Sequence, residues 1–141
     1  FNFPQICGVS VAQALEEFQI PNVTLKFVND FCVNNFKVGG VMTKGELYGD
    51  KYKVELGIGV NLNTPKDFYL QANLLEASSV FAESGKGVDV KDFFWTLTQK
   101  LIQNFETLKG FGFQSLLEYM RAKMKLVGKE VTVYNKVVFD Q

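Results

Sequence analysis

Asn29-Asp30, Lys37, the pair Gly39-Gly40, the spaced pair Gly57 and Gly59, and Asn61 are the residues whose types and spacing suit chemistry. Asp30 offers a carboxylate, Lys37 an ammonium, and Asn29 and Asn61 two carboxamides. The glycines bare the main chain, so a ligand can reach backbone amides. Gly57 and Gly59 stand two apart, on one face of a strand, and such a pair marks a side from which something approaches the backbone. The set suits an anionic or phosphate-bearing ligand, with Mg²⁺ as its companion ion. A plainer reading stands beside it. Asn-Asp is common turn chemistry, a lone lysine is usually solvated, and Gly-Gly can be a simple bulge.

Composition narrows the chemistry further. The chain contains no histidine, which excludes Ser-His-Asp and Cys-His catalysis and removes the commonest zinc ligand. Lys+Arg and Asp+Glu both number 15, so bulk charge recruits neither nucleic acid nor a membrane surface. No apolar run approaches the roughly 18 residues of a membrane span, and no signal-peptide pattern is present. Cys7 and Cys32 lack CxxC spacing and read as reduced thiols of a cytoplasmic chain, with Cys32 a packed strand residue rather than a nucleophile. With 141 residues, 47% of them hydrophobic, the chain suits one domain with one core, and most of its 14 Phe rings are expected there. It opens on FNFPQ, without an initiator Met, and stops within the strand-like VTVYNKVVFDQ, which reads as a fragment.

The elements that must position these residues follow from periodicity. Ile6 to Phe18 has helical spacing with Glu16-Glu17 facing outward, and Pro21 ends it. Val23–Val28 alternates as a half-buried strand, and Phe31–Val33 and Lys37–Thr43 read as two more, joined by a tight turn at Asn34-Asn35. KGELYGDK reads as a turn, Tyr52–Leu62 as a strand and NTPKDFYLQAN as a loop. Asp89 caps a helix to about Leu108, its stripe of Phe93, Leu97, Leu101, Phe105 and Leu108 widened by Phe94, Trp95 and Ile102. A second helix spans about Phe113 to Met124, and strands follow from Glu130. The sum is an α+β fold, a mixed sheet with helices packed on it.

Three segments carry a resemblance to a known family. Lys26-Phe27-Val28-Asn29-Asp30, Lys37-Val38-Gly39-Gly40-Val41-Met42 and Gly57-Ile58-Gly59-Val60-Asn61 match in order and spacing the K-W-P-N-D, K-[ILV]-[AGS]-G-[IV]-[LM] and G-[IAC]-G-[IVF]-N motifs of the biotin protein ligase catalytic domain. The helix ICGVSVAQALEE and the later LLEYMRAKMKLVGKEVTVYN resemble the same family, so the likeness covers nearly the whole chain. It implies a partial class II synthetase-like biotin/lipoate ligase fold. Residues 1–126 would be the C-terminal portion of the catalytic domain and 127–141 the start of a small SH3-like β domain.

The resemblance also implies an activity. That activity is the formation of biotinyl-5′-AMP from biotin and ATP with Mg²⁺, then transfer of biotin to a lysine of the biotin carboxyl carrier domain of a biotin-dependent carboxylase. Lys37 would contact the biotin carboxylate and the α-phosphate, and Asp30 would position the reacting groups and assist deprotonation of the acceptor lysine. Asn29 and Asn61 would help hold phosphate and Mg²⁺, while Gly40, Val41, Gly57 and Gly59 would shape the biotin slot. Lipoate or octanoyl ligases and transferases share the fold and form the alternative, as does a binding module that kept the fold without the chemistry. Two departures stand out: Trp-Pro is replaced by Phe27-Val28, and the family's G-R-G-R-x-x-R loop is not in this sequence. The second implies little or no ligase activity for these residues alone.

Overall fold

The computed structural model describes residues 3–27 and 29–132. Its first helix, α1 (Phe3–Glu17), is buried at every position from Ile6 to Ala12 and again at Ala14 and Leu15. A helix that is apolar on nearly all sides belongs in the middle of a domain. Here α1 lies between a β-sheet and two later helices, and its Val9, Val11 and Leu15 form the heart of the core with Val23, Phe31, Val33, Val38 and Val41.

The sheet has the order β1 (Val23–Lys26), β2 (Asp30–Val33), β3 (Phe36–Tyr48), β4 (Lys51–Val60), and every neighbouring pair is antiparallel. The mixed character expected of it is confined to two isolated parallel bridges, Leu25 with Met124 and Lys37 with Ala77. Asn34 and Asn35 take φ of 48° and 73°, the left-handed pair that a two-residue hairpin requires. The segment expected to turn at KGELYGDK instead continues β3 to Tyr48. Gly49, at φ 63°, lets the chain reverse within Gly49-Asp50, so Lys44–Tyr48 pairs fully with Lys51–Glu55.

The stretch NTPKDFYLQAN, expected as loop, contains α2 (Lys66–Gln71), entered through extended Pro65. A short α3 (Val80–Ser84) follows, with the Ser79 hydroxyl accepting from the Ala82 N–H and Gly85 closing it at φ 72°. α4 (Val90–Phe111) starts where expected, because the Asp89 carboxylate accepts from the Lys91 and Asp92 N–H groups. It runs past Leu108 to Gly112, and α5 (Gln114–Lys123) completes the helices.

Phe93 is buried on α4, whereas Phe94, Trp95 and Ile102 are 69%, 66% and 55% exposed. Residues 93–95 sweep about 200° of a helix, so they cannot all face α1. The aromatic expectation fails with them: Phe31 and Phe93 are buried, but Phe27, Phe68, Phe81, Phe94 and Phe111 are exposed. Aliphatic side chains from α1 fill the core and leave space for few rings. The strands expected from Glu130 onward, with the SH3-like domain, fall mainly on 133–141, outside the described residues, and 130–132 take no regular structure.

Among the described residues, no helix is long and apolar enough to cross a membrane. Cys7 and Cys32 are both buried and free, and burial pushes the Cys7 thiol up to about 11.

Candidate functional site

One face of the sheet packs on α1, and the opposite face presents the polar residues. Along it, Lys26 pairs with Asp30, Asp30 with Gly40, and Gly40 with Gly59, so four strands contribute to one row. Lys37 joins this row because of an irregularity. Phe31 pairs with Gly39 but Cys32 pairs with Lys37, leaving Val38 as an extra residue in β3. Such a bulge turns two successive residues toward the same side. Val38 is fully buried, and a side chain at Gly39 would meet the buried Phe31 ring, so both face the core. Lys37 and Gly40, three apart, thereby share the open face.

There Lys37 Nζ lies 2.8 Å from Asp30 Oδ1, with the carboxylate side chain 21% exposed and the lysine 49%. An ion pair this open contributes little to stability, on the order of 0–1 kcal/mol. Its placement suits handling charge on a bound group. A Cβ at Gly40 would come within 3.1 Å of Asp30 Oδ1 and 3.8 Å of Lys37 Cε, so glycine there keeps the pair accessible. A Cβ at Gly59 would meet nothing within 4 Å, and one at Gly57 only the Met42 carbonyl at 3.9 Å. These two glycines face open space rather than a close-packed neighbour.

The two carboxamides are fixed by the backbone. Asn29 Nδ2 donates to the Val41 carbonyl at 2.7 Å, while the Val41 N–H donates back to the Asn29 carbonyl at 2.9 Å. Asn61 Nδ2 donates to the Ser78 carbonyl at 3.0 Å. Both carboxamides thus spend their NH₂ groups on the scaffold and keep Oδ1 as the acceptor available to a ligand.

A strap at residues 76–78 holds Lys37 from its other side. The Lys37 N–H donates to the Glu76 carbonyl at 2.9 Å, and the Ser78 N–H donates to the Lys37 carbonyl at 2.8 Å. The Ser78 hydroxyl in turn donates to Glu83 Oε1 at 2.7 Å, a carboxylate whose side chain is only 6% exposed.

Asn29, Asp30, Lys37, Gly40, Val41, Gly57, Gly59 and Asn61 all line one open groove of about 700 Å³. Gly39, Met42, Ile58 and Ala77 complete it. Ala77 carries no reactive group that would mark it in the sequence. Its neighbour Ser79, a helix cap ahead of Val-Phe-Ala and a closing Gly85, was the available signal that this segment is structured. Cys32 sits on the same face beyond Lys37. Burial raises its thiol pKa, and Lys125, Lys26 and Lys37 act against that rise.

The shape of this arrangement recurs in solved structures. A mutant of the biotin protein ligase from Aquifex aeolicus in complex with biotin superposes with TM-score 0.73 and 30% identity, over 91% of this chain and 52% of that one. The chain carries part of the biotin protein ligase fold. The same match extends to a biotin protein ligase-like protein of unknown function from Silicibacter (TM-score 0.75, 15% identity, 92% of this chain and 57% of that). It also includes the biotin protein ligase from Leishmania major in complex with biotinyl-5-AMP (TM-score 0.69, 20% identity, 98% and 58%). These last two, at low identity, speak for the fold alone. The chain spans little more than half the length of these biotin ligase-like structures. No protein-family model and no curated protein matches the sequence.

Proposed function

We propose that the protein works as part of a biotin protein ligase, joining biotin to the AMP moiety of ATP and passing biotin to a lysine of a biotin carboxyl carrier domain. The observation that supports this most is the Lys37–Asp30 pair at the edge of a glycine-floored groove, within a biotin protein ligase fold. Biotin's fused rings and valeryl chain need a slot without side chains, and Gly40, Gly57 and Gly59 supply one, with Val41 beside it. The biotin carboxylate then meets the α-phosphate beside Lys37. Both are anionic, and the ammonium offsets the charge that builds as carboxylate oxygen and phosphorus approach. Adenylation depends mainly on charge stabilisation and alignment, so a histidine-free site suffices.

Asp30 orients the Lys37 ammonium at 2.8 Å and takes the proton from the acceptor lysine in the transfer step. Among the described residues no group of three acidic or thiol ligands could hold a metal by itself. The donors present fit Mg²⁺ delivered on the phosphates, and Asn29 Oδ1 and Asn61 Oδ1 are the atoms that would help hold it. Bound there, the ion would neutralise phosphate charge. Residues 127–141 would open the small β domain, and two unpaired thiols suit a cytoplasmic setting.

The test is biotin-dependent exchange of pyrophosphate into ATP. In the full-length protein Lys37→Ala should lower the rate about a hundredfold or more, the scale of losing a charge-stabilising group. An unchanged rate removes Lys37 from the reaction, and calorimetric binding of lipoate in preference to biotin replaces the substrate.

A further inference from the structure

α4 carries apolar residues on two sides. Its inner side packs Phe93, Leu97 and Leu101 on the core, while its outer side holds Phe94, Trp95 and Ile102, all more than half exposed. A helix apolar on opposite sides is built to be covered on both. The outer residues keep a rhythm as well. Lys91, Trp95, Thr98, Ile102, Phe105 and Lys109 recur at steps of four and three, the 3.5-residue seam along which one helix packs on another. Thr98, at the middle of the seam, already donates its hydroxyl to the Phe94 carbonyl at 2.8 Å, so the centre leaves no donor unmet. The two ends differ in sign. Lys91 has no ion-pair partner among the described residues, and Glu106 meets the equally open Lys109 at 3.6 Å. At about 1.5 Å per residue, Lys91 and Glu106 stand about 11 Å on either side of the midpoint between Thr98 and Gln99.

We propose that the outer face of α4 pairs antiparallel with the same face of a second copy of this chain, forming a two-fold dimer. The charge pattern selects both the occupant and its direction. An antiparallel copy crossing at the midpoint sets Lys91 against Glu106 twice and Trp95 against Ile102 twice, as a self-complementary two-fold contact requires. A parallel copy would set Lys91 against Lys91 and Glu106 against Glu106, a like-charge arrangement that disfavours the wrong register. The area is of the right order. Phe94 and Trp95 are about two-thirds exposed, and side chains of this kind bury about 150–250 Å² each. In a pair of copies these four rings therefore supply about 400–700 Å², roughly a third of the 1,200–2,000 Å² of a specific interface. Ile102, Phe105 and the lysine stems add to that centre. The face lies across α1 from the sheet, so pairing leaves the glycine groove of each copy open and stands whether or not that groove takes biotin.

The experiment is sedimentation equilibrium of the full-length protein, with tryptophan fluorescence read over the same dilution series. The mass should pass from monomer to dimer as concentration rises. Trp95 is the only tryptophan of the 141 residues, and its emission should move to shorter wavelength as the dimer forms, a shift that Trp95→Phe lacks. Trp95→Glu should raise the dissociation constant about a hundredfold or more, since an aromatic anchor is lost on both copies. Circular dichroism should report an unchanged fold, because the side chain is exposed. Lys91→Glu and Glu106→Lys should each weaken pairing about tenfold, two surface ion pairs being reversed at once, and the two together should restore it. A monomer throughout the series overturns the proposal. So does a Trp95 emission already shifted in the monomer, which would show the face covered within one polypeptide. A dimer indifferent to Trp95→Glu pairs through another surface and overturns it equally, and a double charge variant as weak as the single ones refutes the antiparallel register.

Discussion

Gly59→Ala and Gly39→Ala separate the fold from the groove. A Cβ at Gly59 meets no atom within 4 Å, and the glycine is in extended β4. With no clash, alanine should stabilise the protein by about 0.4–1 kcal/mol by restricting the unfolded chain. An unfolding entropy of about 2.1 cal/mol/K per residue gives about 0.3 kcal/mol/K for 141 residues, so Tm should rise by about 1–3 °C. The same methyl enters the space assigned to biotin. Overpacking costs about 1–3 kcal/mol, and biotin should bind about 5- to 150-fold more weakly. Gly39 is the converse case. Its Cβ would lie 2.1 Å from Phe31 Cε2 and 2.2 Å from the Gly59 carbonyl oxygen, and a main-chain atom cannot swing aside. Gly39→Ala should cost about 3 kcal/mol or more, near 10 °C in Tm. Thermal unfolding by circular dichroism and biotin calorimetry read both quantities. A Gly59→Ala protein that melts several degrees lower, or binds biotin unchanged, refutes the open-groove reasoning.

Asp30→Asn should slow transfer of biotin to an acceptor lysine in a single-turnover assay while leaving cooperative unfolding intact; loss of the transition makes Asp30 structural instead. Ser78→Ala removes the hydroxyl that satisfies the buried Glu83 carboxylate, leaving Lys66 at 3.9 Å, and should cost about 1–3 kcal/mol in urea titration. Glu16 is pushed up by burial, but hydrogen bonds from Lys123 and Tyr119 outweigh that and hold its pKa below 4.5. Its contribution is therefore present at neutral pH and lost as pH falls through the lowered folded value. Tyr119→Phe should destabilise by about 1 kcal/mol at pH 7, a modest figure because Glu16 is partly open to water, and the deficit should shrink as pH falls through the lowered folded pKa of Glu16. A deficit constant from pH 3 to 7 contradicts that linkage.

Features governed by local chemistry were legible in the sequence. The Asn34-Asn35 turn, the Asp89 cap and the Gly57/Gly59 face each follow from backbone preferences within a few residues. β3 runs farther than its sequence pattern suggests because Lys44–Tyr48 is exposed on both faces, so no apolar alternation marks it. The short α3 escaped notice since its anchors are distant: Asn34 Nδ2 donates to the Glu83 carbonyl, and the Ser79 hydroxyl to that of Thr64. Periodicity on α4 found apolar positions but could not say which side meets α1, hence the exposed Phe94 and Trp95. The site's residue types were readable one by one. Their convergence was not, because it depends on strand pairing and on the Ala77 strap.

The extra residue in β3 has a consequence for a turn outside the groove. At the turn, Val33 must oppose Phe36; farther along, Asp30 must oppose Gly40, and the two demands differ by one position. Val38 absorbs the mismatch. Lengthening the Asn34-Asn35 turn by one residue would cancel it, let Cys32 oppose Val38, and bring Lys37 opposite core-facing Val33. The ammonium would then emerge on the wrong side of the sheet, a change that amine labelling of Lys37 would detect. Which way this lysine points is a matter of odd or even count, set by the length of a turn that does not line the glycine groove.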